Sequence, residues 1–436
     1  MTRRAQNLRH DEDMAASPSS SASSGSCATS GSSATSNAEA LRIGVIGLGL
    51  RANLLDVAHR PAEGTRVVAL CDLDPRVLGY WQGTIGTRGS RPWTTTDYRR
   101  MLARDDVDAV VVATPDFTHE AIVIDALAAG KPTFAEKPLA ISTAGCDRML
   151  AAAMQTGTRL YVGHNMRHFS MVRQMKDLID AGAIGEPKAV WCRHFVGHGG
   201  DFYFKDWHAQ RQHVTSLLLQ KGAHDIDVIH WLAGGVSRTV HGFGSLAVYG
   251  RVADRHDGEK SADWFDPQQH WPPLAQKQLH PQIDVEDLSM IQMVLDNGVI
   301  ASYQECHFTP DYWRNYTVIG TEGRIENFGD TDGVVKLWNR RIGYGAAGDR
   351  EYPFHSTAGS HGGADARLMA EFVRFARVGG MTDTSPVAAR EAVAAGCAGA
   401  ESLRSGGMPI AVAPPDPAIA AYFARGQSRS CADGYV

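Results

Sequence analysis

Long apolar runs are missing from this 436-residue chain. Nothing in it approaches the roughly 18 consecutive apolar residues that a membrane-spanning helix needs, so it reads as a water-soluble protein. Basic blocks are missing too. The formal net charge is -5, with both signs interspersed, which argues against nucleic acid or an acidic lipid surface as partner. The seven cysteines (Cys27, Cys71, Cys146, Cys192, Cys306, Cys397, Cys431) are odd in number, scattered and without a CxxC pair. That pattern excludes a disulfide framework and a structural zinc site, and points to the reducing cytoplasm. Histidine is plentiful at 18, and His194, His198, His208 and His213 fall loosely together, but none has metal-ligand spacing, so no metal is expected. An export signal is also lacking: Arg3 and Arg4 are followed by no apolar core, and Asp11, Glu12 and Asp13 argue against an organellar transit peptide.

What is present changes character along the chain. Residues 1–40 are Ser-, Ala- and Gly-rich and cannot bury enough apolar surface to offset their conformational entropy, so they read as a disordered tail. From Leu41, short β-branched runs ("LRIGVIG", "RVVALCD", "DAVVVATP", "PTFAEKP", "RLYVGHN") alternate with helical stretches, the grammar of an α/β domain with a doubly wound parallel sheet over 41–165. Residues 166–412 read as an α+β domain on a large, mostly antiparallel sheet. There "EDLSMIQMVLDNGVIASYQECHF" places Asn297-Gly298 between two alternating runs, a hairpin whose two turn positions both call for positive φ. Residues 251–282, rich in Trp, His, Gln and Pro, form a long insertion with the character of a lid or interface. Helical runs after Gly363 close this second domain, and 413–436 is left as a C-terminal tail.

Chemistry concentrates at a few junctions. "IGVIGLGLRANLL" sets Gly47, Gly49 and Ala52 in a GxGxxA arrangement between the first strand and a helix. The first glycine makes the turn, the second lets backbone approach a pyrophosphate, and the small third residue allows close packing. About twenty-five residues on, the second strand ends in Asp72, where a carboxylate would accept hydrogen bonds from a ribose and repel a 2′-phosphate, favouring NAD over NADP. Asp72 also suits a plain strand-end turn. "ATPDFTHE" brings Thr114, Pro115 and His119 to another strand end, and "AEKP" brings Glu136 and Lys137 to a third, where ligands of open parallel sheets sit. In "LLLQKGAHDIDVIHWLAGG" a helix starting near Ala223 puts Val228, Ile229, Trp231 and Leu232 on one apolar arc, with Asp225 inside it and His224 at its edge. As first-turn acids, Asp225 and Asp227 also fit ordinary helix-start signals.

Together, GxGxxA, the strand-end Asp, ATPxxxH, EKP and the later GxHDxDxxxWL resemble the glucose–fructose oxidoreductase / inositol dehydrogenase (Gfo/Idh/MocA) family over roughly residues 41–410. The resemblance implies NAD(H) bound by Gly47, Gly49, Ala52, Asp72, Thr114, Pro115, His119, Glu136, Lys137 and Asn165. It implies hydride transfer between the nicotinamide and a ring hydroxyl of a sugar or cyclitol. By the same resemblance Lys137 contacts the reacting oxygen and His224 is the base, with Asp225 or Asp227 orienting it or packing the helix. The resemblance further puts Arg167, Trp207, Lys221 and Asp225 with Lys137 and His224 on the substrate side, and implies a homo-oligomer, dimer or tetramer, built on the face of the second sheet. Asp201, Tyr203, His208, Tyr312, Trp313, Arg314, His361, Gly362 and Gly363 are further candidates. One position departs from the family pattern: Gln220 stands four residues before His224, where many members carry Asp, and an amide cannot relay a proton. An NAD-dependent glycosidase working by transient oxidation and elimination therefore stays open as an alternative, as does a non-catalytic cofactor-binding sensor.

Overall fold

The computed structural model describes residues 40–258, 265–266 and 268–428. The expected N-terminal tail thus lies almost wholly outside the described residues, as do Cys27, Cys431 and parts of the 251–282 insertion. Six parallel strands form the first sheet, in the order β3-β2-β1-β4-β5-β6: β1 Leu41–Ile46, β2 Thr65–Cys71, β3 Trp93–Thr95, β4 Ala109–Val112, β5 Thr133–Ala135 and β6 Leu160–Val162. Continuous apolar strands such as β4, buried throughout, need helices on both faces. Part of that cover comes from far along the chain. The Ala364–Val378 helix lays Leu368, Met369, Phe372 and Phe375 against Ile43, Val45 and Val111. On the other face, Val393 of the Pro386–Arg404 helix joins Val110 and Val112. Residues 413–436, expected to be a tail, contain the Pro417–Ala424 helix, whose Ile419, Tyr422 and Phe423 are buried in that same cluster. The C-terminal helices therefore cover both faces of the first sheet, because an open parallel sheet cannot leave either face bare, and the Pro386–Arg404 helix also packs Ala392, Ala395 and Ala398 into the core of the second.

The second sheet has nine strands in the order β14-β13-β12-β11-β7-β10-β9-β8-β15. These are β7 Pro187–Phe195, β8 Ser237–Ser245, β9 Leu288–Leu295, β10 Ile300–Cys306, β11 Trp313–Gly320, β12 Arg324–Phe328, β13 Gly333–Trp338, β14 Arg350–Phe354 and β15 Ile410–Ala411. All its pairings are antiparallel except that of β7 with β10. The hairpin between β9 and β10 differs from expectation in its turn. The Leu295 N–H bonds the Val299 carbonyl, and only Gly298 takes a positive φ (82°), while Asn297 does not. This is a three-residue loop ending in a glycine bulge, which needs one left-handed residue where a two-residue loop needs two. The Asn297 side chain is freed to donate to the Ala233 carbonyl (2.9 Å), tying the turn to the preceding helix.

Period-two alternation sorts the sheet residues cleanly. Ile291, Met293, Val190, Cys192, His194, Tyr303 and Tyr316 face inward. The Gly222–Ala233 helix lies on this inner face, with Ile226, Val228, Ile229 and Leu232 in the core. Trp191, Met290, Val294 and Ile300 face outward and are 44–57% exposed.

Candidate active site between the two sheets

At the first strand end, Gly47 takes φ 91°, and a Cβ there would stand 2.6 Å from the Ala113 backbone, so only glycine fits. A Cβ on Gly49 would meet nothing within 4 Å, which leaves the backbone open to a ligand on that side. Ala52 is buried against the sheet, in the first turn that follows. The Asp72 carboxylate accepts from the Leu48 N–H (2.8 Å) and the Asp74 N–H (2.9 Å), which fixes it beside the glycine turn. These features fit a dinucleotide: a cradle of backbone for the pyrophosphate and an anchored acid for the ribose. Thr114 and Pro115 are partly exposed at the end of β4, and the Thr114 hydroxyl pairs with that of Thr118 (2.7 Å). His119 lies below this rim, fully buried. Its two ring nitrogens are each 2.9 Å from a carbonyl, those of Thr114 and Pro138, so it braces two strand-end loops from beneath and is closed to a cofactor.

Glu136 and Asn165 are also buried, in an ionic chain that spans both domains. Arg51, inside the glycine motif, donates to Glu136 (2.7 Å) and to Asp365 (2.9 Å), and Asp365 accepts in turn from Asn165 (3.0 Å) and lies 2.8 Å from His361 Nδ1. Arg51, although half-buried, stays firmly charged because two carboxylates outweigh its desolvation. The glycine turn, the end of β5, the segment after β6 and the start of the Ala364–Val378 helix are thereby locked to one another.

Lys137 stands at the mouth of this assembly and donates from Nζ to the Gln220 carbonyl (3.1 Å), one turn before His224. Burial lowers its ammonium from the ordinary range, opposed by Asp116 and Glu136. His224 is partly exposed, with Nδ1 buried and without a hydrogen-bond partner among the described residues. Burial, with Lys137 and Arg314 next, holds its imidazole well below the usual value, so it is neutral at neutral pH. Asp116 shares the pocket: burial pushes its carboxyl up to about 8, against the pull of Lys137 and the Gln220 amide, and its Oδ2 has no hydrogen-bond partner among the described residues. Asp116 carries no signal in the sequence, being an unremarkable turn residue until the end of β4 and Gln220 meet. The same holds of its neighbour Phe117. It is 40% exposed and reaches across to His213 (ring centroids 4.4 Å) and Trp207 (6.0 Å). Trp207 stacks on His208 at 3.7 Å and forms part of this aromatic wall.

Two residues expected on the substrate side are consumed elsewhere. Arg167 is buried and gives both Nε and one terminal nitrogen to Asp227, each at 2.7 Å, so a substrate cannot reach its fork. Asp225 has no exposed surface. It lies 2.9 Å from His194 Nδ1 and 3.1 Å from Arg314 Nε, and accepts from the Tyr303 hydroxyl (3.1 Å) and from that of Tyr316. Burial would raise its carboxyl, but Arg314 and His194 outweigh that and hold it below its ordinary range. Among the described residues, neither acid is hydrogen-bonded to the His224 ring. Asp225 fastens the helix to the sheet, and Asp227 fastens it to the segment after β6. Lys221 remains in the cleft, with its ammonium 5.6 Å from the ring centroids of Tyr203 and Tyr312.

Comparison with known proteins gives this cleft a lineage. A model described as oxidoreductase family, NAD-binding Rossmann fold matches residues 41–164, and one described as the GFO/IDH/MocA C-terminal domain matches residues 172–326. Inositol 2-dehydrogenase of Burkholderia multivorans is 37% identical over 196 residues, 44% of this chain and 55% of that protein. Inositol 2-dehydrogenase 1 of Saccharopolyspora erythraea is 35% identical over 205 residues, 46% of this chain and 57% of its own length. The chain thus spans about half the length of the curated relatives it matches. Among solved structures, levoglucosan dehydrogenase in complex with NADH and levoglucosan superposes with a TM-score of 0.68 at 20% identity, covering 86% of this chain and 100% of that one. Myo-inositol 2-dehydrogenase from Lactobacillus plantarum superposes at 0.65 with 20% identity, over 86% and 100%. At such identities these two speak for the fold, and the fold agrees with the two family models. The chain belongs to the Gfo/Idh/MocA oxidoreductase family, with an NAD-binding Rossmann domain joined to that family's C-terminal domain.

Proposed function

We propose that this protein is an NAD-dependent dehydrogenase acting on a ring hydroxyl of a sugar or cyclitol, with Lys137 and His224 as its proton-handling pair. The observation that carries the reading is their convergence. Lys137, from the carboxyl end of β5, reaches the turn of helix that leads into His224, beside the strand ends that would hold a dinucleotide. Residues 47–49 and Asp72 would hold NAD, which would supply the hydride acceptor. The neutral His224 imidazole is poised to take the hydroxyl proton, because its depressed affinity leaves it free of a proton at neutral pH. Lys137 donates a hydrogen bond to the same oxygen and stabilises the alkoxide as it forms. Asp116, protonated over much of the neutral range, can exchange a proton with Lys137 where Gln220 cannot. Phe117, Trp207 and Tyr203 wall the cleft with apolar surface, which strengthens these polar contacts. We place the protein in the cytoplasm on its cysteine pattern, and assemble it as a homo-oligomer through the outward face of the second sheet.

The test is absorbance of NADH while protein and NAD meet free sugars, cyclitols and aryl glycosides, with aglycone release followed in parallel. Accumulating NADH without aglycone is expected. Aglycone release without net NADH would instead mark the glycosidase. Lys137→Ala and His224→Ala should each slow turnover on the order of 10²–10⁴-fold while NADH binding, read by fluorescence, persists. Unchanged turnover in both variants would remove them from the chemistry.

A further inference from the structure

We infer that the substrate of this cleft is a ring polyol bearing an anionic substituent, a sugar carboxylate whose charged group is received by Lys221. This rests on the reading of Lys137 and His224 as the reacting end of the cleft. Lys221 precedes His224 by three residues and has helical backbone angles (φ -90°, ψ -44°), so the two side chains leave the same face of the helix about 4.5 Å apart along its axis. A six-membered ring whose hydroxyl lies at His224 and Lys137 places a substituent from its far side at Lys221.

The surroundings of Lys221 call for such a group. Among the described residues no carboxylate lies within 4 Å of its ammonium and no side chain or carbonyl hydrogen-bonds it, and its near neighbours are the faces of Tyr203 and Tyr312. Tyr312 is 46% exposed, so this end of the cleft is open to ligand. The other cations nearby are already answered: Arg314 by Asp225 (3.1 Å) and Asp330 (3.7 Å), and Lys137 by the Gln220 carbonyl and the adjacent acids. An ammonium partly withdrawn from water with no acid in contact is costly, and burial, reinforced by Arg314 and Lys137 and only partly offset by the more distant Asp225 and Glu305, does lower its proton affinity well below the ordinary value. A monoanion restores the balance. The two aromatic faces beside it suit the carbon skeleton of a sugar. A phosphate would ask for a fork of donors, and Arg314 is held at ion-pair distance by its own acids, so a carboxylate is the better match to the single ammonium of Lys221.

The experiment uses full-length protein saturated with NADH, in which oxidation cannot proceed, titrated calorimetrically with D-glucuronate, D-galacturonate, their neutral parent sugars and D-glucose 6-phosphate. The acids should bind about tenfold or more tightly than the parents, and the gap should shrink with added salt. Lys221→Met should close the gap, and Lys221→Arg should restore much of it, which a merely misfolded variant would not do. Equal affinity for acid and parent, a gap that survives Lys221→Met, or no binding by either class overturns the inference. Preference for the sugar phosphate over both acids overturns its carboxylate assignment. If the acids bind in the expected pattern but form no NADH with NAD, the dehydrogenase reading fails while the anion site stands. If NADH forms with neutral sugars alone, the dehydrogenase stands and this inference falls.

Discussion

A carboxyl group and an ammonium buried together need not both be charged, and Asp116 and Lys137 are such a pair. Folding raises the Asp116 carboxyl from 3.8 to about 8, so the folded state favours the protonated acid. The resulting contribution to stability is whole below about pH 4 and is lost as pH rises through about 8. Asparagine has the same shape and cannot ionise. Asp116→Asn should therefore melt at the parent's temperature near pH 4 and above it at pH 9, as thermal unfolding across that range will show. A difference that does not vary with pH would mean that Asp116 is not held protonated. The same substitution should alter the alkaline limb of the kcat profile if Asp116 exchanges a proton with Lys137, and leave it in place if Lys137 acts alone.

At the scale of the element, the Gly222–Ala233 helix divides its polar residues among three tasks. Asp225 points to the sheet, Asp227 to Arg167 after β6, and His224 to the cleft, so the two acids set where the histidine stands without hydrogen-bonding its ring. Removing one partner of a buried ion network costs more than the network contributes, because the opposing charge stays behind. Asp225→Asn leaves Arg314 without its nearest acid and should cost about 3–5 kcal/mol, read from the urea midpoint at neutral pH. Since Asp225 is held below its ordinary range, its contribution is present above about pH 4 and fades as pH falls further, so the gap between parent and variant should narrow in acid. A gap that is constant down to pH 3 would contradict the ionised assignment.

At the scale of the molecule, the second sheet has one face packed by helices and another that presents Trp191, Met290, Val294, Ile300 and Phe243. These side chains come from adjoining strands, with Ile300 directly opposite Val294 and Met290 opposite Phe243, so they form a contiguous apolar surface. If it is the contact between copies, the double substitution Trp191→Glu with Ile300→Glu should lower the mass measured by light scattering to that of a smaller species, with the helical circular dichroism retained. An unchanged mass would move the contact elsewhere. The cleft lies at the other end of this architecture, and the Arg51 chain from Glu136 to Asp365 holds its two halves in register.

The sequence by itself determined the parallel sheet, the glycine turn, the strand-end Asp72 and the positions of Lys137 and His224, because period, φ requirement and strand-end placement are local properties. Its misreadings share one cause. Arg167 and Asp225 look like cleft residues along the chain, yet their charges are met by Asp227, His194 and Arg314, at separations of 31 to 89 residues. Asp116 and Phe117 are inconspicuous until the β4 end reaches Gln220 and Trp207. The helices after Gly363 were expected on the second domain, yet they cover both faces of the first sheet and one of them packs on both sheets, since which bare face a helix covers depends on faces built elsewhere. Tertiary structure alone decided which charges are spent on holding the fold and which, like that of Lys221, have no acid in contact among the described residues, because pairing between buried charges is set by distance in space.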